Sequence, residues 1–162
     1  MAKTKIKLGI LGCGRVCEHY IEKILIPERV GELYDVVACC DVDPKKSKYV
    51  AERFSCKAFN DIEEFVQYES IEVVVILTKS GQHYEHAKIC LSNHLNVIVE
   101  KPLSLRIEHA EELIRISTKT GKFCASIFQN RLNPAVEITK KAFESDRFGN
   151  LVSVSVRLRW CR

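Results

Sequence analysis

No apolar run in this chain is long enough to cross a bilayer. The longest are the length of Val73–Leu77, far short of the about 20 residues that a spanning helix needs. The start shows no signal-peptide pattern either: Lys7 interrupts the first apolar run, and no small-residue cleavage site follows. A cytoplasmic location is the expectation, with no membrane partner. The net charge of +4 comes without any lysine- or arginine-rich block. That reads as a solvated, slightly basic surface, not as a nucleic-acid footprint. Eight cysteines are present, yet none forms the Cys-x-x-Cys pair of a zinc or redox centre. They read as free thiols used as small core residues in a reducing compartment. Cys39 and Cys40, adjacent on an expected strand, point to opposite faces and suit two-sided burial. Internal repeats and low-complexity segments are missing as well.

What is present is an alternation of strands and helices. The 162 residues suit one domain, or one domain with part of another. Lys5–Leu11 reads as a strand, and Val16–Leu25 as a helix stopped by Pro27. Tyr34–Cys40 is a second strand. Asp43 and Pro44 fit the N-cap and first position of a helix whose buried stripe is Val50, Ala51 and Phe54. Asp61-Ile62-Glu63-Glu64 has capping-box spacing and opens a short helix through Tyr68. Ile71–Leu77 is a strand, apolar but for Glu72, the pattern of a parallel sheet covered on both faces. Gln82–Leu91 reads as a helix and Asn96–Val99 as a strand. Ile107–Thr118 is amphipathic, with Ile107, Ala110, Leu113, Ile114 and Ser117 on one side and Gly121 ending it. Lys122–Phe128 is a further strand. The pitch predicts a right-handed, doubly wound parallel α/β sheet of Rossmann type.

The pattern changes after Phe128. Gln129–Pro134 is polar and turn-like, and a helix over Ala135–Glu144 and a turn at Phe148-Gly149-Asn150 follow. Leu151–Trp160 then alternates, with Val152, Val154, Val156 and Leu158 on one face, as a half-buried antiparallel strand does. The expected organisation is a dinucleotide-binding domain over 1–128, a connecting turn and helix over 129–149, and over 150–162 the first strand of a missing C-terminal α+β domain. An unpaired strand edge of that kind invites pairing with a second copy.

Gly12-x-Gly14-x-x-Cys17 follows the first strand and opens the first helix. Gly12 allows a tight turn, Gly14 lets the backbone approach a pyrophosphate, and the third position must be small for helix and strand to pack. Cysteine departs from the usual glycine or alanine there. By itself the motif fits a structural turn nearly as well. Asp41, ending the second strand, stands where a carboxylate receives the adenosine ribose hydroxyls and repels the extra phosphate of NADP. Val42 follows it in place of an arginine, which favours NAD; Lys45 and Lys46 keep NADP in play. A turn acid before Asp43-Pro44 is the other reading of Asp41. His83, Glu85 and His86 lack the i, i+4 histidine pair of zinc helices, so they read as exposed polar residues and one groove histidine, with no metal.

Together with the glycine turn and Asp41, Glu100-Lys101-Pro102 after the fifth strand resembles the signature of the Gfo/Idh/MocA family of glucose-fructose oxidoreductases and inositol dehydrogenases. Within it, Leu77–His83, Gln129–Pro134 and Val156–Arg162 look most like the branch that oxidises C3 of UDP-N-acetylglucosaminuronate-type sugars. The resemblance implies an NAD(P)-dependent oxidoreductase that moves hydride from a ring hydroxyl carbon of a sugar or sugar nucleotide to NAD. It implies cofactor contacts at Gly12, Gly14, Arg15, Val16, Asp41, Thr78, His83 and Glu100, the last on the nicotinamide ribose. Lys101 would be catalytic and substrate-binding, orienting the hydroxyl and stabilising developing oxyanion character. Asn130 and Arg131 would face cofactor or sugar. Without the resemblance, Glu100-Lys101 is a surface charge pair before a proline. Lys79 stands where much of the family has proline. The family's Asp and His, the latter the usual general acid/base, lie on a helix of the second domain, so residues 1–162 alone are expected to turn over poorly or not at all. A non-catalytic nucleotide-binding or interaction module is the alternative reading.

Overall fold

The computed structural model describes residues 4–23, 33–157 and 159. The chain divides into two compact units, one ending at Ile127 and one beginning at Phe128.

The first unit holds strands β1 (Ile6–Leu11), β2 (Tyr34–Cys40), β3 (Lys57–Phe59), β4 (Val73–Ile76), β5 (Asn96–Val99) and β6 (Cys124–Ser126). Between them run helices α1 (Arg15–Lys23), α2 (Pro44–Phe54), α3 (Ile62–Val66), α4 (His83–Ser92) and α5 (Ile107–Thr120). The sheet order is β3-β2-β1-β4-β5-β6, with every neighbouring pair parallel. That is the doubly wound dinucleotide-binding order, whose direction reverses between β1 and β4.

Burial explains why these residues form this sheet. All four residues of β4 are buried, as expected of a strand covered on both faces. On one face, Ala38, Cys40, Val74, Ile76, Val97 and Val99 pack with Phe65 of α3, Leu91 of α4 and Leu113 of α5. On the other, Leu8, Ile10, Cys39, Val73 and Val75 pack with Cys17, Tyr20 and Ile21 of α1 and Val50 of α2. Cys39 and Cys40 thus serve opposite cores. Gly9 makes the first of these contacts close: a Cβ there would lie 2.7 Å from the Phe65 ring. The caps form where their residue types direct. Asp43 accepts from Lys45 N at the start of α2, and Asp61 accepts from Glu63 N and Glu64 N at the start of α3.

Several expectations are corrected. β3 was not anticipated, because three residues with two of them exposed carry too little pattern to read. The expected strands Ile71–Leu77 and Lys122–Phe128 are trimmed to Val73–Ile76 and Cys124–Ser126. On α5 the apolar stripe is rotated: Leu113 is fully buried, but Ile107 and Ile114 are 76% and 62% exposed. Each residue turns a helix by about 100°, so Ile114 stands well round from its neighbour Leu113. The last two residues of the helix expected over Val16–Leu25, and Pro27, lie outside the described residues.

The second unit contains a 3-10 turn over Gln129–Leu132 and helix α6 (Pro134–Glu144), capped by the Asn133 side chain accepting from Ala135 N at 3.0 Å. Residues 151–157 form no strand, and Val152, Val154 and Val156 are exposed. A strand exists through its ladder, and none of the described residues supplies one. Leu158, Trp160, Cys161 and Arg162, parts of the segments read above, lie outside the described residues. No described helix is long and apolar enough to cross a membrane.

Candidate cofactor groove

The crevice where strand order reverses is built around Gly12. Its φ is +98°, and a Cβ there would lie 2.7 Å from Thr78 N and 2.8 Å from the Leu77 carbonyl carbon. Both conditions demand glycine. The ends of β1 and β4 can therefore touch, and the Gly12 amide reaches across to Cys40 O at 2.8 Å. One residue on, the Cys13 amide donates to Asp41 Oδ2 at 2.8 Å, and the Asp43 amide donates to Oδ1 at 2.9 Å. Asn60 Nδ2 holds the Asp41 carbonyl from the other side at 2.8 Å. The Asp41 carboxylate is thus fixed by two backbone donors, with lone pairs left on each oxygen for incoming hydroxyls.

These residues open onto a cavity of about 800 Å³, lined among others by Gly12, Gly14, Arg15, Val16, Asp41 and Thr78. Six of the expected cofactor contacts come together there. A Cβ at Gly14 would meet no protein atom within 4 Å, so protein packing does not require glycine there. The opening lies at the N-terminus of α1, where unpaired amides and the helix dipole favour a phosphate. Cys17, the unusual third residue of the motif, is fully buried between α1 and the sheet, where a small side chain is needed. Hydrogen bonds shared with Cys17 and Cys39, and then burial, hold the Cys13 thiol far above its ordinary range.

His83 does not line this cavity. It is 1% exposed, with Nε2 3.0 Å from Thr78 O and Nδ1 2.6 Å from Pro102 O. Its place is taken by His86, expected to be solvent-exposed, which lines the cavity with Nδ1 2.9 Å from Thr78 Oγ1. Burial holds the His86 ring below the ordinary imidazole value; His83 adds to this and Glu85 opposes it. Which histidine faces the groove depends on how α4 sits on the sheet, and residue type alone does not reveal that. The i, i+3 spacing of the two was the available signal.

Glu100 is also buried, at the end of β5. Its Oε1 accepts from Tyr20 OH at 2.9 Å and its Oε2 from Lys101 N at 2.6 Å. Burial, and then the Glu100 carboxylate, hold the Tyr20 phenol above its ordinary range, so Tyr20 remains the donor. Lys101 is exposed, and its peptide bond to Pro102 is cis. Neither Glu100 nor Lys101 is among the residues lining the cavity. Asn130 and Arg131 belong to the second unit, exposed on its 3-10 turn, with the Arg131 guanidinium 5.5 Å from the Phe128 ring centre. Among the described residues no group of three or more His, Cys, Asp or Glu could hold a metal ion. Tyr20 and Asn60, which position Glu100 and Asp41, were not picked out from sequence, because each acts through another residue.

A family model described as an oxidoreductase family with an NAD-binding Rossmann fold matches residues 6–128. A dehydrogenase of Comamonas testosteroni, acting by its name on 1-carboxy-3-chloro-3,4-dihydroxycyclohexa-1,5-diene, is 26% identical over 90% of this chain and 36% of its own. The WlbA dehydrogenase of Bordetella pertussis, solved with NADH and UDP-GlcNAcA, superposes with a TM-score of 0.84 at 26% identity, over 92% of this chain and 42% of its own. A scyllo-inositol dehydrogenase of Lactobacillus casei, solved with NAD(H) and scyllo-inositol, shares the fold at TM-score 0.80 and 23% identity, over 91% and 43%. The chain thus spans well under half the length of these relatives.

Proposed function

The chain belongs to the Gfo/Idh/MocA oxidoreductase family, and from that premise we propose that its groove binds NAD for a dehydrogenase acting on a sugar or sugar nucleotide. The observation that carries this is the Asp41 carboxylate, fixed by the Cys13 and Asp43 amides at the lip of a cavity that Gly14 leaves open. Two ribose hydroxyls satisfy such a carboxylate, whereas a 2′-phosphate in their place meets like charge.

The proposed roles follow from position. The amides at Gly14, Arg15 and Val16 take the pyrophosphate, Asp41 the adenosine ribose, and Thr78 with His86 the wall opposite. Glu100, held by Tyr20, keeps lone pairs for the nicotinamide ribose. Nicotinamide supplies the hydride acceptor. Lys101 orients the sugar hydroxyl through its ammonium and stabilises negative charge developing on that oxygen. Asn130 and Arg131 contribute contacts to cofactor or sugar. The UDP-GlcNAcA bound to the WlbA relative makes a UDP-linked uronate the first substrate to assay. Buried thiols at Cys13, Cys17 and Cys39 suit a reducing, cytoplasmic setting. The alternating apolar residues of 151–157 suit pairing with a second copy, which sedimentation would detect.

Calorimetric titration with NAD and NADP tests the cofactor assignment. Tighter binding of NAD is expected. Equal or tighter binding of NADP, or no binding of either at millimolar concentration, overturns it.

A further inference from the structure

His83 is a buried histidine that the cofactor contacts leave unused. It is 1% exposed on the first turn of α4, and both ring nitrogens face backbone carbonyls. Nε2 is 3.0 Å from Thr78 O, just past the end of β4; Nδ1 is 2.6 Å from Pro102 O, just past the end of β5. Glu100 N also donates to Ile76 O at 3.0 Å, so the turn is tied to β4 at its start, and the ring adds the tie at its far end, from Pro102 to Thr78. The same Thr78 presents its hydroxyl to His86 on the cavity wall, and Pro102 follows directly on Lys101. One ring therefore links the wall of the groove to the turn that carries Glu100 and Lys101.

We propose that His83 is a positioning residue: it ties the Glu100-Lys101-Pro102 turn to Thr78, fixing the nicotinamide end of the site relative to the adenosine end. The inference rests on the NAD reading above and deepens it. Both partners are carbonyl oxygens, so a neutral ring donates to one of them and packs against the other, and it bonds both loops at once only with a proton on each nitrogen. The Pro102 carbonyl is the shorter contact, and it is the one that sets the Lys101 turn. Loss of the ring frees the Pro102 end of that turn and leaves the Asp41 lip intact, because Asp41 is held by Cys13, Asp43 and Asn60 and not through His83.

The test compares NAD with ADP-ribose, which lacks the nicotinamide, by calorimetry on the whole chain. His83→Ala is expected to weaken NAD about tenfold, as loss of one or two buried hydrogen bonds does, and to leave ADP-ribose within about twofold. His83→Asn puts an amide N–H near the place of Nδ1 and should restore most of the NAD affinity. His83→Gln mimics Nε2, keeps only the Thr78 side, and should restore less. Hydrogen exchange at the Lys101 amide should quicken in the alanine variant and not in the asparagine variant. Equal losses for NAD and ADP-ribose, or no loss of either, overturn the positioning role while the NAD reading stands. Wild-type protein that binds neither ligand overturns that reading and this one with it. If the alanine variant does not fold, the asparagine and glutamine variants carry the comparison, and equal NAD affinity in the two overturns the proposal.

Discussion

The amide of Cys13 donates to the carboxylate of Asp41 across 28 positions of sequence, at 2.8 Å. This bond joins the glycine turn after β1 to the acid after β2, so the two halves of the adenosine site form one rigid lip. The carboxylate therefore has a structural task as well as a recognition task, and substitutions can separate them. Asp41→Asn retains an acceptor for one of the two amides. It is expected to weaken NAD about tenfold and to narrow the gap to NADP, since the repelling charge is gone. Asp41→Ala strands both amides and is expected to cost about 1–3 kcal/mol of stability as well. Paired calorimetry and thermal melting separate the effects; unchanged NAD affinity in both variants contradicts the assignment.

The two motif glycines should respond in opposite ways. Gly12→Ala forces a Cβ into the backbone of Leu77 and Thr78 at a positive φ. It is expected to cost about 1–3 kcal/mol or more in chemical denaturation. Gly14→Ala meets only open space, so stability should hold within about 0.5 kcal/mol while dinucleotide affinity falls. A Gly14→Ala protein that binds NAD as well as wild type would show that the cavity is not shaped for a pyrophosphate.

Stability should fall at both ends of the pH range. Burial raises the thiols of Cys40 and Cys90 from 9.0 to about 12 and that of Cys124 to about 11. The fold holds their protons where the unfolded chain releases them. The stabilisation is therefore complete below pH 9 and is lost as pH rises from there to about 12. His86 works in the other direction: its folded value lies below 6.5. The unfolded chain binds the proton first, so stability is lost as pH falls below 6.5. Thermal melts from pH 4 to 11 should show both flanks, and His86→Gln should flatten the part of the acid one that His86 supplies. A melting profile level from pH 8 to 11 contradicts the burial of these thiols.

The rotated stripe of α5 has its own test. Leu113→Ala is expected to cost about 2–5 kcal/mol, because the side chain is fully buried against the sheet. Ile114→Ala, at 62% exposure, should stay within about 0.5 kcal/mol. Similar losses at both positions in urea denaturation would mean that Ile114 is covered.

The sheet was legible wherever local pattern and tertiary environment agree. Asn96–Val99 and Tyr34–Cys40 match the expected limits because polar or turn residues bound their apolar runs, whose buried parts are Val97 and Val99 in one and Ala38–Cys40 in the other. The caps at Asp43 and Asp61 were legible because a cap is a contact two or three residues long. β3 was not, since its order comes from pairing with β2, which its own three residues do not encode. The strand expected from residue 151 shows the reverse: the alternation is present, but no ladder is. In the site, Gly12 and Asp41 could be found because each is a residue type forced by backbone geometry or charge, and Gly14 because it completes the motif that Gly12 opens. The exchange of His83 for His86 on the cavity wall could not, because two histidines three positions apart differ only in what α4 packs against.

The most direct measurement is an NMR titration of isotope-labelled protein with NAD. Saturable shifts at the amides of Gly12, Gly14, Arg15, Val16, Asp41 and Thr78, with His86 following, are the predicted result. No saturable change up to millimolar NAD, or changes confined to residues outside this groove, would contradict the account.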